Sequence, residues 1–123
     1  FFDVCGKHMA ALWRAPYGEK NRNILRWAAE AGFRHAVWSY HCDTRGWVAD
    51  TLSEWYRSNR EITRYILNIE QRQGLSGKII LMHLGTERKN DFPYQTLPQM
   101  INELKKRSYR FVAGSQLIRM SYL

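Results

Sequence analysis

Lys78-Ile79-Ile80-Leu81-Met82-His83-Leu84-Gly85 places a histidine at the end of an apolar run. Imidazole titrates near neutrality, so a histidine fixed there can give or take a proton under ordinary conditions. The run is bounded by Gly77 and Gly85 and reads as a strand buried on both faces. In parallel α/β folds the C-terminal ends of such strands carry the chemistry. Two other polar clusters end similar runs: Arg14-Ala15-Pro16-Tyr17-Gly18, and the stretch from His41 to Trp47. Three strand ends on one face would bring together an imidazole, a guanidinium, a carboxylate and aromatic rings. The plainer alternative for His83 is a satisfied histidine at a strand end.

The elements that must position these clusters alternate along the chain. Phe1 to Met9 reads as the end of a helix, with Gly6 as the left-handed residue that stops it. Ala10 to Arg14 is strand one, broken by Pro16 and Gly18. Asn21 or Asn23 caps a helix whose stripe is Ile24, Leu25, Ala28 and Ala31, ended by Gly32. Strand two is Ala36 to Tyr40. From Val48 to Asn59 the pattern is ambiguous, and Leu52, Trp55 and Tyr56 could pack as a short helix. A clearer helix spans Arg60 to Gln73, with Ile62, Tyr65, Ile66 and Ile69 on one face and Gly74 and Gly77 at its end. Strand three is the run from Lys78 to Met82, followed by a polar loop from Glu87 to Tyr94. Thr96 caps a helix with Leu97, Met100, Ile101 and Leu104 inward and Pro98 in its first turn. Tyr109 to Ala113 is strand four, and Ser115 caps a last helix. Trp27, Trp55, Tyr56 and Tyr65 are most simply core. Repeated β-α alternation predicts an α/β fold with a parallel sheet and right-handed crossovers, either an open sheet or an arc of a barrel.

Composition narrows the function classes. With 123 residues the chain is one domain or part of one, and 45% hydrophobic content excludes a disordered segment. No apolar run approaches the roughly 20 residues that cross a bilayer. The start at Phe1-Phe2 rather than Met reads as processing or a cloning boundary, with any targeting segment lost from view. A net charge of +8 favours anionic partners such as nucleic acid, anionic lipid or a wall polymer. The longest basic run, Lys105-Lys106-Arg107, is most simply a solvated helix end. The aromatics follow core spacing rather than forming a stacking platform, which argues against nucleic acid. Cys5 and Cys42 form no CxxC and give no disulfide framework. No G-x-G-x-x-G follows a strand and no P-loop is present. His41, Cys42 and Asp43 are adjacent potential metal ligands, but neighbours on an extended chain point to opposite faces, so three in a row rarely close on one ion.

The three clusters resemble motifs of the polysaccharide deacetylases of the NodB-homology type, carbohydrate esterase family four. Arg14-Ala15-Pro16-Tyr17-Gly18 is similar to that family's third motif, R-x-P-Y-G. Asp43-Thr44-Arg45-Gly46-Trp47 is similar to the fourth, D-x-x-D-W, with Gly46 where a second Asp often stands. Leu81-Met82-His83 is similar to the fifth, L-x-H. Ala31-Gly32-Phe33 and Tyr109-Arg110-Phe111-Val112 also look like the family. The first motif, an Asp pair, and the second, a His-x-x-x-His metal pair, have no counterpart among residues 1–123. The resemblance therefore implies the C-terminal portion of a single deacetylase domain, folded as part of a distorted (β/α)7-type barrel. The N-terminal metal-ligand portion is not present.

Roles follow from the resemblance, each beside a plainer reading. His83 is the general acid that protonates the leaving amine. Asp43 hydrogen-bonds His83 and stabilises its protonated form; the alternative is an Asx turn. Arg14 pairs with the catalytic Asp of the first motif; the alternative is a surface salt bridge. Tyr17 gives its backbone N–H to the oxyanion, a contribution of about 3 kcal/mol where such donors are well placed, and Pro16 holds the turn that aims it. Trp47 and Leu81 wall a pocket for the acetyl methyl group, or are core.

The implied function is a metal-dependent hydrolase that removes N-acetyl or O-acetyl groups from a polysaccharide such as peptidoglycan or chitin. The implied cofactor is a divalent metal, zinc before others, with its ligands outside this chain. Expected partners are the acetylated polysaccharide, an anionic cell-wall surface, and a missing N-terminal half or a second copy; nucleic acid is not among them. The expected location is extracellular, periplasmic or envelope-associated. The competing expectation is a non-catalytic glycan-binding or assembly module of the same fold. Four βα units leave two strand edges open, so residues 1–123 alone are expected to dimerise, swap or aggregate.

Overall fold

Ile62, Ile66 and Ile69 recur at helical spacing, and together with Thr63 they form the buried face of a helix, Asn59–Gln73. In the computed structural model, which describes Val4, Gly6 and residues 8–121, this helix is α2 in chain order. Its start is fixed reciprocally. The Ser58 hydroxyl accepts the Glu61 N–H at 3.3 Å, and the Glu61 carboxylate accepts the Ser58 N–H at 2.7 Å. Its end is fixed by Gly74, whose φ of 70° lies in the region that favours glycine and whose N–H reaches the Glu70 carbonyl.

The described residues fall into two compact units. The unit Trp38–Phe111 holds α2 and α3, Leu97–Lys106. Its core is Ile66, Ile69, Leu75, Met100 and Leu104, joined by the free thiol of Cys42. Tyr65, Ile80, Met82 and Tyr109 pack on that core from the side. Burial pushes the Cys42 thiol pKa up, with Lys78 opposing, so the group behaves as a small hydrophobe.

The other unit is Phe1–Val37 with Val112–Leu123. Strand β1, Leu12–Trp13, pairs in parallel with β2, Arg34–His35, in the register Leu12 to Arg34 and Trp13 to His35. Helix α1, Arg22–Glu30, makes the crossover, and the Asn21 side chain caps it by accepting the Ile24 N–H at 2.9 Å. Helix α4 is Gly114–Met120. The fold is thus mixed helix and sheet with parallel pairing, as the alternation predicts.

Several expected elements differ in extent. Strand one contracts from Ala10–Arg14 to Leu12–Trp13, and strand two shifts from Ala36–Tyr40 back to Arg34–His35. Strand three is an extended segment with an isolated bridge at Leu81. It is half-buried throughout rather than buried on both faces: Ile80 and Met82 pack against the core, and Leu81 and His83 do not join that cluster. Strand four does not form at Tyr109–Ala113, where the Tyr109 hydroxyl instead accepts the Leu75 N–H at 3.0 Å. No helix forms at 48–58; this stretch is irregular, with turns at 51–55, and Asn59 opens α2. Helix α4 begins at Gly114, so Ser115 lies inside it, and Thr96 precedes α3 without a side-chain cap because its hydroxyl bonds that of Thr63. Trp27 is 58% exposed and Trp55 also faces solvent, so neither is core. The helix expected over 1–9, and Cys5, lie largely outside the described residues; Gly6 has the expected positive φ of 60°.

Candidate functional site

In the unit Trp38–Phe111, the segments that carry Asp43 and His83 lie side by side. Leu81 N–H donates to the Cys42 carbonyl at 2.9 Å, and Thr44 N–H donates to the Leu81 carbonyl at 3.2 Å, closing a parallel bridge between Asp43 and Leu81. Side chains alternate along extended backbone. Cys42, Ile80 and Met82 go to the core. Asp43, Leu81 and His83 are therefore left together on the opposite face. Partnered residues in a parallel pair share a face, which puts the carboxylate beside Leu81 and one strand step from the imidazole.

The carboxylate itself is engaged locally. Asp43 Oδ1 accepts the Arg45 N–H at 2.8 Å, which is the Asx turn of the plainer reading. Among the described residues no hydrogen bond joins Asp43 to His83, so the expected carboxylate–imidazole pair is not made; the turn takes one oxygen and leaves Oδ2 without a described partner. The turn also holds Arg45 at a positive φ of 56°, with its guanidinium 4.2 Å from the centre of the Trp55 ring. Trp47, two residues on, is 51% exposed and free to stack on a ligand.

Gly46 explains one departure of the fourth motif. A Cβ built there would stand 2.7 Å from Cγ of Pro93 and 3.0 Å from its Cβ. Pro93 is buried and occupies the volume that a second aspartate at 46 would need.

Arg88 holds the turns around this site, and nothing in its sequence neighbourhood marks it out. Its side chain is buried, and it donates from Nε to the Val48 carbonyl at 2.8 Å, from Nη1 to the Asp91 carbonyl at 3.0 Å and from Nη2 to the Arg57 carbonyl at 2.9 Å. The same cation lies 4.4 Å from the centre of the Tyr56 ring. Asp91 accepts the Tyr56 hydroxyl at 2.7 Å and the Asn59 N–H, tying the polar loop to the start of α2. Burial and the bond to Asp91 push the Tyr56 pKa up, which keeps the phenol protonated as the donor. A buried guanidinium is satisfied here by carbonyls, in place of a helix.

In the other unit, Pro16–Gly18 forms a single 3-10 turn, with Gly18 N–H donating to the Ala15 carbonyl and Glu19 N–H to that of Pro16. Tyr17 takes φ 56°, uncommon for a residue with a Cβ. It is 96% exposed, and its N–H is not used by any described residue. Arg14 and Pro16 are exposed, and Arg14 forms neither an ion pair nor a hydrogen bond with a described residue. The surface salt bridge of the plainer reading is therefore not made with a described residue. A residue missed in the sequence anchors this turn: His35 Nε2 accepts the Ala15 N–H at 3.2 Å, its ring edge-on to Trp13 with centroids 4.8 Å apart. That bond needs a neutral imidazole. Burial lowers the His35 pKa, and Lys20 lowers it further. Only the cross-strand register shows that His35 faces Trp13 and Ala15.

The described residues do not fit a metal ion. No group of three His, Cys, Asp or Glu stands together among them, and the alternation that sends Cys42 inward separates it from Asp43. No described helix is long and apolar enough to cross a membrane.

No protein-family model matches the chain. It is similar to a peptidoglycan-N-acetylglucosamine deacetylase of Bacillus cereus, with 32% identity over 111 residues. The match takes in 90% of this chain and 46% of that protein, so the chain spans about half the length of the curated relative it matches. That similarity relates the chain to a deacetylase.

Proposed function

We propose that the whole protein is a hydrolase that removes acetyl groups from a polysaccharide, peptidoglycan before chitin, with this chain supplying the proton donor. The observation that carries the proposal is the shared face of Asp43, Leu81 and His83, in a chain similar to a deacetylase named for peptidoglycan N-acetylglucosamine. In that reaction water adds to the acetyl carbonyl, the C–N bond breaks, and the leaving nitrogen takes a proton. His83 gives that proton. Asp43, its Oδ1 held by Arg45 N–H and not hydrogen-bonded to His83, would contribute only its charge from the same face. The resemblance gives the unused N–H of Tyr17 the role of oxyanion donor, and gives Trp47 and Leu81 the role of walling the acetyl methyl. The resemblance gives Arg14, exposed and without a described partner, the role of holding a carboxylate base contributed by other residues of the whole protein. The finer fold reading, an arc of a distorted (β/α)7-type barrel forming part of one NodB-homology domain, belongs to the same proposal. So does an extracellular or envelope location. A divalent metal, zinc first, belongs to it as a cofactor held elsewhere, since the described donors do not fit one.

Acetate release from N-acetylated peptidoglycan by the whole protein tests the proposal. Stoichiometric acetate and free amine are expected. Glycan binding without acetate would instead favour the second reading, a glycan-binding module, for which the exposed ring of Trp47 is the specific support.

A further inference from the structure

We propose that the groove between the start of α2 and the turn leading into α3 binds an oxyanion, of the kind carried by a phosphodiester or a carboxylated sugar. The groove has a volume of about 540 Å3 and is lined by Asn59, Arg60, Thr63, Arg64, Gln95 and Gln99 among others. Arg60 and Arg64 are one helical turn apart, so they stand on one face with Cβ atoms about 6 Å from each other. That spacing suits two guanidinium groups closing on one anion. Neither forms an ion pair or hydrogen bond with a described residue; the ion pairs of this unit lie at Asp91, Glu103 and Glu70. The acid between them, Glu61, is held by the Ser58 N–H and hydroxyl, both at 2.7 Å.

The rest of the lining offers donors without adding negative charge. Asn59 Nδ2 donates to Gln95 Oε1 at 3.2 Å, which leaves the Gln95 and Gln99 amide groups to donate outward. Asn59 Oδ1 is buried without a partner at the edge of this lining, an unsatisfied acceptor beside the groove. The first turn of α2 adds the positive end of its dipole. The net charge of +8 favours the same class of ligand. This inference does not depend on the deacetylase reading.

Amide NMR of the full chain, titrated at low salt with inorganic phosphate, with glucuronate and with glucose, tests it. Saturable shifts confined to residues 59–64 and 95–99 are expected with phosphate or glucuronate and not with glucose. Phosphate alone assigns a phosphodiester, glucuronate alone a carboxylated glycan. The R60Q/R64Q variant, exposed at both positions and checked for an unchanged spectrum elsewhere, should bind about tenfold more weakly. R64Q alone should fall between, and added salt should weaken wild-type binding. Absence of saturable shifts, equal shifts with glucose, or unchanged affinity in the double variant would overturn the proposal.

Discussion

Helices α1 and α2 obey the same amphipathic rule and end in opposite states. Both are capped by a polar side chain and closed by a glycine. On α2 the stripe is buried, with Ile62 and Ile66 at 0% exposure. On α1 no residue is buried; Ile24 of its stripe faces solvent, as does the neighbouring Trp27. A stripe states which side wants cover; only another element supplies it. The unit Trp38–Phe111 supplies that cover from α3 and from the strand of Leu81, while the unit with β1 and β2 fully buries a single large-to-small apolar position, Ala15, among its described residues. Stability and candidate chemistry should therefore respond differently in the two units.

The largest expected effect is at the centre of the covered unit. Leu104→Ala should cost about 3 kcal/mol in denaturant unfolding, within the range for fully buried leucines. A cost under about 1 kcal/mol would mean that the α2–α3 core is not the stabilising one. Arg88→Ala comes next. It strips three backbone carbonyls of their donor and should cost about 2 kcal/mol, with the 48–57 turns losing amide protection in hydrogen exchange before α2 does.

A smaller effect is expected at His35 and depends on pH. Its folded pKa lies below the ordinary 6.5 because burial, then Lys20, disfavour the cation. The unfolded chain then binds more protons in that interval, so the contribution is complete above 6.5 and is lost as pH falls through that value towards the folded one. His35→Gln should flatten this dependence in the unit with β1 and β2, read from the Ala15 amide shift against pH. An unchanged profile would break the assignment. Trp27→Ser should change stability by no more than about 0.5 kcal/mol, since the ring is already in solvent. A loss of several times that would show that α1 is covered in solution.

Much of this was legible where local rules decide. The α2 stripe, the Gly74 stop and the inward faces of Met100 and Leu104 follow from periodicity and capping, whereas the Ser58 capping box, which starts the helix at Asn59 rather than Arg60, was not read. The motif residues Asp43 and Leu81 do pair. What was not legible depends on distant partners. A strand exists only where a second strand offers its hydrogen bonds, so strand four gave way to a bond from Leu75 N–H to the Tyr109 hydroxyl, and strand two moved to meet Trp13. The turns at 48–57 depend on Arg88, some forty positions away from Val48. Asp43 chose the nearest donor, Arg45 N–H, over an imidazole one strand step off, because an Asx turn needs no long-range closure. Trp27 and Trp55 read as core because aromatic spacing marks a face without showing whether anything lies on it.

The most direct test of the proposed reaction is the whole protein with His83→Gln, assayed for acetate release from N-acetylated peptidoglycan and, separately, for binding to the same polymer. A general acid lost from the leaving-group side should lower kcat by about 100-fold or more with binding retained. Wild-type kcat in His83→Gln, with acetate release intact, would contradict the assignment of His83 as the proton donor.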